Sequence, residues 1–198
     1  MQKSYNHLDG FLLQKMLGCK KDYNAFSEEE RYQAYRMFLK RTGEKGKRIA
    51  ATQTIQKWFG IGGQKRPNRE GLFKLGFALE LSDKEMRELL VYVTCEPDFQ
   101  VNDYREMIFL YGFYHHLSYT KCLAMVDKFE SSLPLEFSLK QQNRTNNIWK
   151  EYGKNCELAA DDFLQWMLER VEDFKGYSKT VLDLSLIHIS EPTRHSLI

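Results

Sequence analysis

Apolar residues recur along this chain at three- and four-residue steps almost from end to end, and no stretch alternates strictly enough to build a sheet. Residues 10–18 (GFLLQKMLG) make a short apolar turn or helix. Ser27, followed by Glu28, Glu29 and Glu30, marks a helix start: a capping hydroxyl, then acids in the first turn, where the dipole favours them. Tyr32, Tyr35, Phe38 and Leu39 then share one face, with Arg36, Lys40 and Arg41 on the other, until Gly43 and Gly46 break the helix. A second helix is expected over residues 47–59, with Ile49, Ile55, Trp58 and Phe59 on its apolar side. After the loop GIGGQKRPN, Asn68 caps a helix over 69–80. Ser82 with Glu85 three residues on is a capping box for the next, which ends near Thr94.

Pro97 breaks the pattern, and from Asn102 the texture changes. Tyr104, Met107, Ile108, Tyr111 and His115 suit an aromatic-rich helix. Ser118 caps another, with Cys122, Met125, Val126 and Phe129 inward; Pro134 punctuates, and helices near 139–152 and 158–174 follow. The expected fold is all-α: an N-terminal bundle over 28–96 after a segment 1–27, then a second helical region over 97–183.

A hydrophobic content of 42% with 14% aromatic suits a globular chain and argues against disorder. Cys19, Cys95, Cys122 and Cys156 lie far apart with no CxxC pair, which reads as reduced thiols in a cytoplasmic protein and not as a disulfide framework or zinc site. No apolar run reaches the length of a membrane span, so no membrane partner is expected.

Charge is the strongest clue to function. Residues 40–69 carry nine bases (Lys40, Arg41, Lys45, Lys47, Arg48, Lys57, Lys65, Arg66 and Arg69) against Glu44 alone, a net +8 in a chain whose total is +2. A basic segment on an otherwise acidic chain is the electrostatic footprint of polyanion binding. Within it, TQTIQKWFGIGGQKRPNREGLFKLGFALEL resembles the recognition half of the Cro/phage-repressor (Xre-type) helix-turn-helix family over about residues 48–92. Thr54, Ile55 and Trp58 match its recognition helix, Gly60, Lys65, Arg66 and Pro67 its loop, and Leu72, Lys74, Leu75, Ala78, Leu79 and Leu81 the helix after it.

The resemblance implies a helix-turn-helix head that binds double-stranded DNA, with the later helices serving a homodimer or a sensor. Ile55 and Trp58 would anchor the helix, leaving Thr52, Gln53, Gln56 and Lys57 to contact base edges, where Gln suits adenine and Lys suits guanine. Lys47, Arg48, Lys65, Arg66 and Arg69 would contact phosphates, which sets register and not sequence. The chain departs from the family in one place. A complete helix should precede the recognition helix, and here the sequence reads RTGEKGKR, with two glycines in eight residues. Either 28–41 takes that role with an enlarged turn, or the domain is degenerate and binds protein.

Two alternatives follow. One is a helical adaptor that takes a protein or peptide partner through 97–183, with Phe109, Tyr111, Phe113, Tyr114 and Tyr119 as its grip, although core packing is the simpler use of those aromatics. The other is the regulatory head of a longer protein. No catalytic residue, cofactor or metal site is expected: His115 and His116 are adjacent and point apart on a helix, Asp161, Asp162, Glu169 and Glu172 read as a solvated face, and GIGG lacks the strand and GK[ST] of a phosphate loop.

The last fifteen residues, 184–198, resemble translated sequencing-adapter sequence: LSLIHISEPTR follows the constant part of a transposase-type adapter, His195, Ser196 and Leu197 fall in its variable index, and Ile198 falls where the constant flank resumes. The expectation is a coding region cut near Asp183, with a tail that has no history of packing against the rest. Deleting residues 184–198 should therefore leave the melting temperature unchanged, as should scrambling them. A loss of several degrees on deletion that the scrambled tail does not share would show that the native order matters.

Overall fold

The computed structural model describes residues 8–47, 49–133 and 145–174; Pro134, the start of the helix expected near 139 and the adapter-like tail lie outside them. The described residues are all-α, with nine helices and no strand. They are α1 (Leu8–Leu17), α2 (Glu28–Lys47), α3 (Thr52–Trp58), α4 (Arg69–Ala78), α5 (Asp83–Glu88), α6 (Tyr104–Tyr114), α7 (Tyr119–Ser131), α8 (Thr145–Asn155) and α9 (Ala160–Leu168). A π-turn, Leu89–Val93, extends α5.

Helix starts are set by short polar side chains. The Ser27 hydroxyl accepts from the Glu30 N–H at 3.2 Å, and the Glu30 carboxylate accepts from the Ser27 N–H at 2.7 Å, so two orphan donors are satisfied reciprocally. Ser82 and Glu85 repeat the arrangement at α5. Asn68 accepts from the Gly71 N–H at α4, and Ser118 from the Lys121 N–H at α7. At α6 the cap is Asp103, whose carboxylate accepts from the Arg105 and Glu106 N–H groups.

Gly43 breaks the helix as expected: it takes φ 53°, ψ −135°, a conformation that L side chains rarely adopt, and a separate helical stretch runs from this kink to Lys47. Two expectations need correction. The following helix starts at Thr52 and not at 47. Tyr32 is not in the core but 41% exposed. The buried stripe is Ala34, Tyr35, Phe38 and Thr42, and position 32 lies roughly 100° of helix rotation from its centre.

The described residues form two compact units, one of residues up to Phe99 with Phe109–Lys121, the other of Gln100–Ile108 with residues from Cys122 onward. The first is organised around buried Leu12, Phe38, Phe59, Leu72, Leu75 and Leu79. Its aromatic cluster joins Phe73, Phe77, Phe109 and Phe113; Phe77 and Phe113 stack with centroids 4.0 Å apart. Phe109, Tyr111 and Phe113 are therefore core residues, unable to grip a partner, while Tyr114 is 38% exposed. In the second unit Tyr104 stacks on Phe129, and its hydroxyl donates to Glu130 at 2.6 Å. Burial first, and then that carboxylate, push the Tyr104 hydroxyl far above its ordinary pKa, so it stays a donor at every physiological pH. Cys122 is buried there with its thiol pushed up to about 12, a packing residue and not a reactive one.

Gly76 in α4 provides a sharp test of this packing. A Cβ there would meet Met86 Sδ at 2.5 Å and the Phe113 ring at 3.1 Å. Gly→Ala in a helix ordinarily gains up to about 1 kcal/mol, whereas overpacking a core costs about 1–3 kcal/mol. Gly76→Ala is expected to lower stability, read as a lower denaturation midpoint; a raised midpoint would mean that α4 and α6 are not packed this closely.

Candidate nucleic-acid interface

α3 has seven residues, too few to be stable alone, so its position depends on what it is packed against. Ile55 and Trp58 are buried on one side of it, and Phe59 follows into the core. Its C-terminal end is held by an ion pair from two other helices. Arg31 of α2 donates from Nη1 to the Asp9 carboxylate of α1 at 2.8 Å and to the Phe59 carbonyl at 3.1 Å. Asp9 is 3% exposed, and Gln64 from the following loop reaches the same carboxylate oxygen at 3.5 Å.

Gly60 ends α3 at φ 74°, with its N–H and that of Ile61 closing back on the Lys57 and Gln56 carbonyls. A Cβ at Gly60 would fall on Arg31 Nη1 and lie 2.8 Å from Asp9 Oδ2, so glycine is required here on two grounds. None of this was foreseen from the sequence. Asp9 and Arg31 lie 22 positions apart with no motif to join them; the one local sign is an acid in the first turn of the otherwise apolar α1, LDGFLLQKML.

With α3 so placed, Thr52, Gln53 and Lys57 are exposed, and Gln56 is half-buried. Lys65 is exposed on the loop. Lys57, Lys65 and Arg66 border one cleft of about 330 Å³, whose wall includes Trp58. The Trp58 Nε1–H is buried and has no hydrogen-bond acceptor among the described residues.

Two of the three arginines expected to contact phosphates have other commitments. Arg66 donates to the Thr94 carbonyl and at 2.9 Å to the Glu96 carboxylate. Arg69 donates to the Pro97 carbonyl at 2.9 Å and the Asp98 carbonyl at 3.0 Å, and its guanidinium lies 5.5 Å from the Phe73 ring centroid. Together they fasten the segment 94–98 to the loop and to α4. Arg48 and the side chain of Lys47 lie outside the described residues. Among the described residues, no group of three or more His, Cys, Asp or Glu could hold a metal ion, and no helix is long and apolar enough to cross a membrane.

Comparison with protein-family models, with curated proteins and with solved structures gave no match.

The division between lysine and arginine can be tested without any ligand. Arg69→Ala should cost about 1–2 kcal/mol, because it leaves two carbonyls without their donor and removes a cation from a ring face. Lys65→Ala should change stability by less than about 0.5 kcal/mol, as exposed substitutions do. Equal denaturation midpoints for the two variants would refute the structural role given to Arg69.

Proposed function

We propose that this chain is a DNA-binding transcriptional regulator of the cytoplasm, with a helix-turn-helix head built on α2, α3 and α4 and a helical region beyond it for dimerisation or sensing. The observation that carries the reading is the exposed polar face of α3, Thr52, Gln53 and Lys57, opposite buried Ile55 and Trp58 and inside a segment of net +8. A helix anchored on one side and polar on the other is what major-groove reading needs, and the surrounding charge supplies sequence-independent attraction to the backbone. α2 takes the part of the positioning helix, and the kink at Gly43 with the short stretch to Ala51 is the enlarged turn. Lys65 is the phosphate contact the reading rests on, more than Arg66 or Arg69.

A second reading, a helical adaptor with a degenerate helix-turn-helix fold, is favoured by the same two arginines, since their commitment to the segment 94–98 reduces the charge offered outward. The readings separate in a titration of labelled duplexes, including the gene's own upstream region, at two salt concentrations. For a regulator, affinity falls steeply with salt, and Lys65→Ala weakens all duplexes alike while making the log–log salt slope shallower by about one unit. Gln53→Ala and Lys57→Ala reduce preference for the target by about 1–3 kcal/mol wherever a bidentate base contact is lost. If no duplex binds more tightly than random DNA, or if the Gln53 and Lys65 variants behave identically, the regulator reading fails and the adaptor takes its place.

A further inference from the structure

The basic segment has an acid set against it. Glu96, from the stretch after the π-turn, stands between Arg66 and Arg69: its Oε1 accepts from Arg66 Nη2 at 2.9 Å, and its Oε2 lies 3.9 Å from Arg69 Nη1. One anion with its two oxygens toward two guanidinium groups is an arrangement that a backbone phosphate could also take.

The two arginines are not held alike. The Arg69 side chain is only 21% exposed and donates to the Pro97 and Asp98 backbone carbonyls, which no change of side chain removes. The Arg66 side chain is 57% exposed, borders the same cleft as Lys57 and Lys65, and donates to the Glu96 carboxylate as well as to the Thr94 carbonyl. The stretch that carries Glu96 is fixed independently of this ion pair. The Thr94 hydroxyl donates to the Leu89 and Leu90 carbonyls, each at 3.0 Å, and the Glu96 N–H donates to the Leu90 carbonyl at 2.8 Å. Farther on, Phe99 is buried with its ring 5.6 Å from that of Phe73. The backbone therefore delivers the Glu96 carboxylate to Arg66, and altering that side chain alone leaves the stretch in place.

We propose that Glu96 is a built-in competitor for phosphate: its carboxylate holds Arg66 where a DNA backbone would otherwise engage it, and so weakens the sequence-independent hold of residues 40–69 on DNA. An arginine already neutralised by an acid adds little to the counterion release that drives backbone binding, and the acid itself repels an approaching phosphate. The pair is partly exposed, and such pairs are weak, so a phosphate can displace the carboxylate and the device attenuates binding without abolishing it. The proposal rests on the reading of this segment as a DNA face, and not on any base contact made by α3.

The full chain and its Glu96→Gln variant can be titrated with a labelled random-sequence duplex at two salt concentrations. The variant keeps the shape of the side chain and removes its charge. It should bind about three- to tenfold more tightly, with a log–log salt slope steeper by about one unit, for the single phosphate contact that Arg66 gains. Glu88→Gln controls for net charge, since Glu88 is exposed in the same compact unit; it should gain less, at an unchanged slope. With Arg66→Ala added, the Glu96→Gln gain should fall to that of the control. A gain no larger than that of Glu88→Gln, a gain that survives Arg66→Ala, or no duplex binding by either protein overturns the proposal. The two readings fail separately. If the Arg66-dependent gain appears on random DNA and no duplex is preferred, the competitor stands without a sequence-specific regulator. If a target duplex is preferred and Glu96→Gln behaves as Glu88→Gln does, the regulator stands without this competitor.

Discussion

The arrangement around α3 depends on one guanidinium. Arg31 is held between the Asp9 carboxylate and the Phe59 carbonyl, so α1, α2 and the end of α3 meet at a single side chain. Charges taken out of water are tolerated only when paired and hydrogen-bonded, and removing one partner of a buried pair costs about 3–5 kcal/mol because the other is stranded. The same contact explains the loop that follows. With Arg31 Nη1 occupying the space of a side chain at residue 60, and the backbone there in the left-handed region, only glycine can end α3 and turn the chain toward Lys65. The exposed lysines are positioned by a pair neither of them touches.

Helix boundaries were legible where the signal is local. Ser27, Asn68, Ser82 and Ser118 each act over three residues, through a hydroxyl or amide that reaches the backbone of its own first turn, so the sequence contains the whole interaction. The inward set of α7 followed from helical periodicity for the same reason. Misreadings arose where the outcome depended on something further away. Tyr32 looks apolar enough for the core, but the direction of α2 is decided by the Tyr35 and Phe38 contacts with Phe59, and those turn position 32 outward. Gly43, by contrast, acts as the breaker its propensity implies, because its freedom at positive φ is a local property. The Asp9–Arg31 pair has no sequence spacing that would reveal it, because it exists only once three helices have assembled.

The run of aromatics between residues 109 and 119 shows how composition can suggest two opposite uses. In sequence it is a cluster of large side chains that could face either a partner or a core. What decides is Gly76. Without a Cβ, α4 lets the Phe113 ring approach to a distance that alanine would not allow, and Phe77 completes the stack at 4.0 Å. A glycine in mid-helix, a liability by propensity alone, is here the residue that draws the aromatics inside.

The same division between local count and assembled structure applies to the charge. A net +8 over residues 40–69 treats every base as equally available. In the folded unit Arg41 donates to the Leu79 carbonyl, Arg66 to Thr94 and Glu96, and Arg69 to Pro97 and Asp98. A planar fork of five donors suits such fixed acceptors, whereas the compact ammonium of lysine is strongly hydrated and favours the surface. The arginines thus act largely as internal ties, whereas Lys40, Lys57 and Lys65 of the same segment stand exposed. The charge this segment offers outward is therefore carried mainly by a few lysines standing on a frame that the arginines hold together.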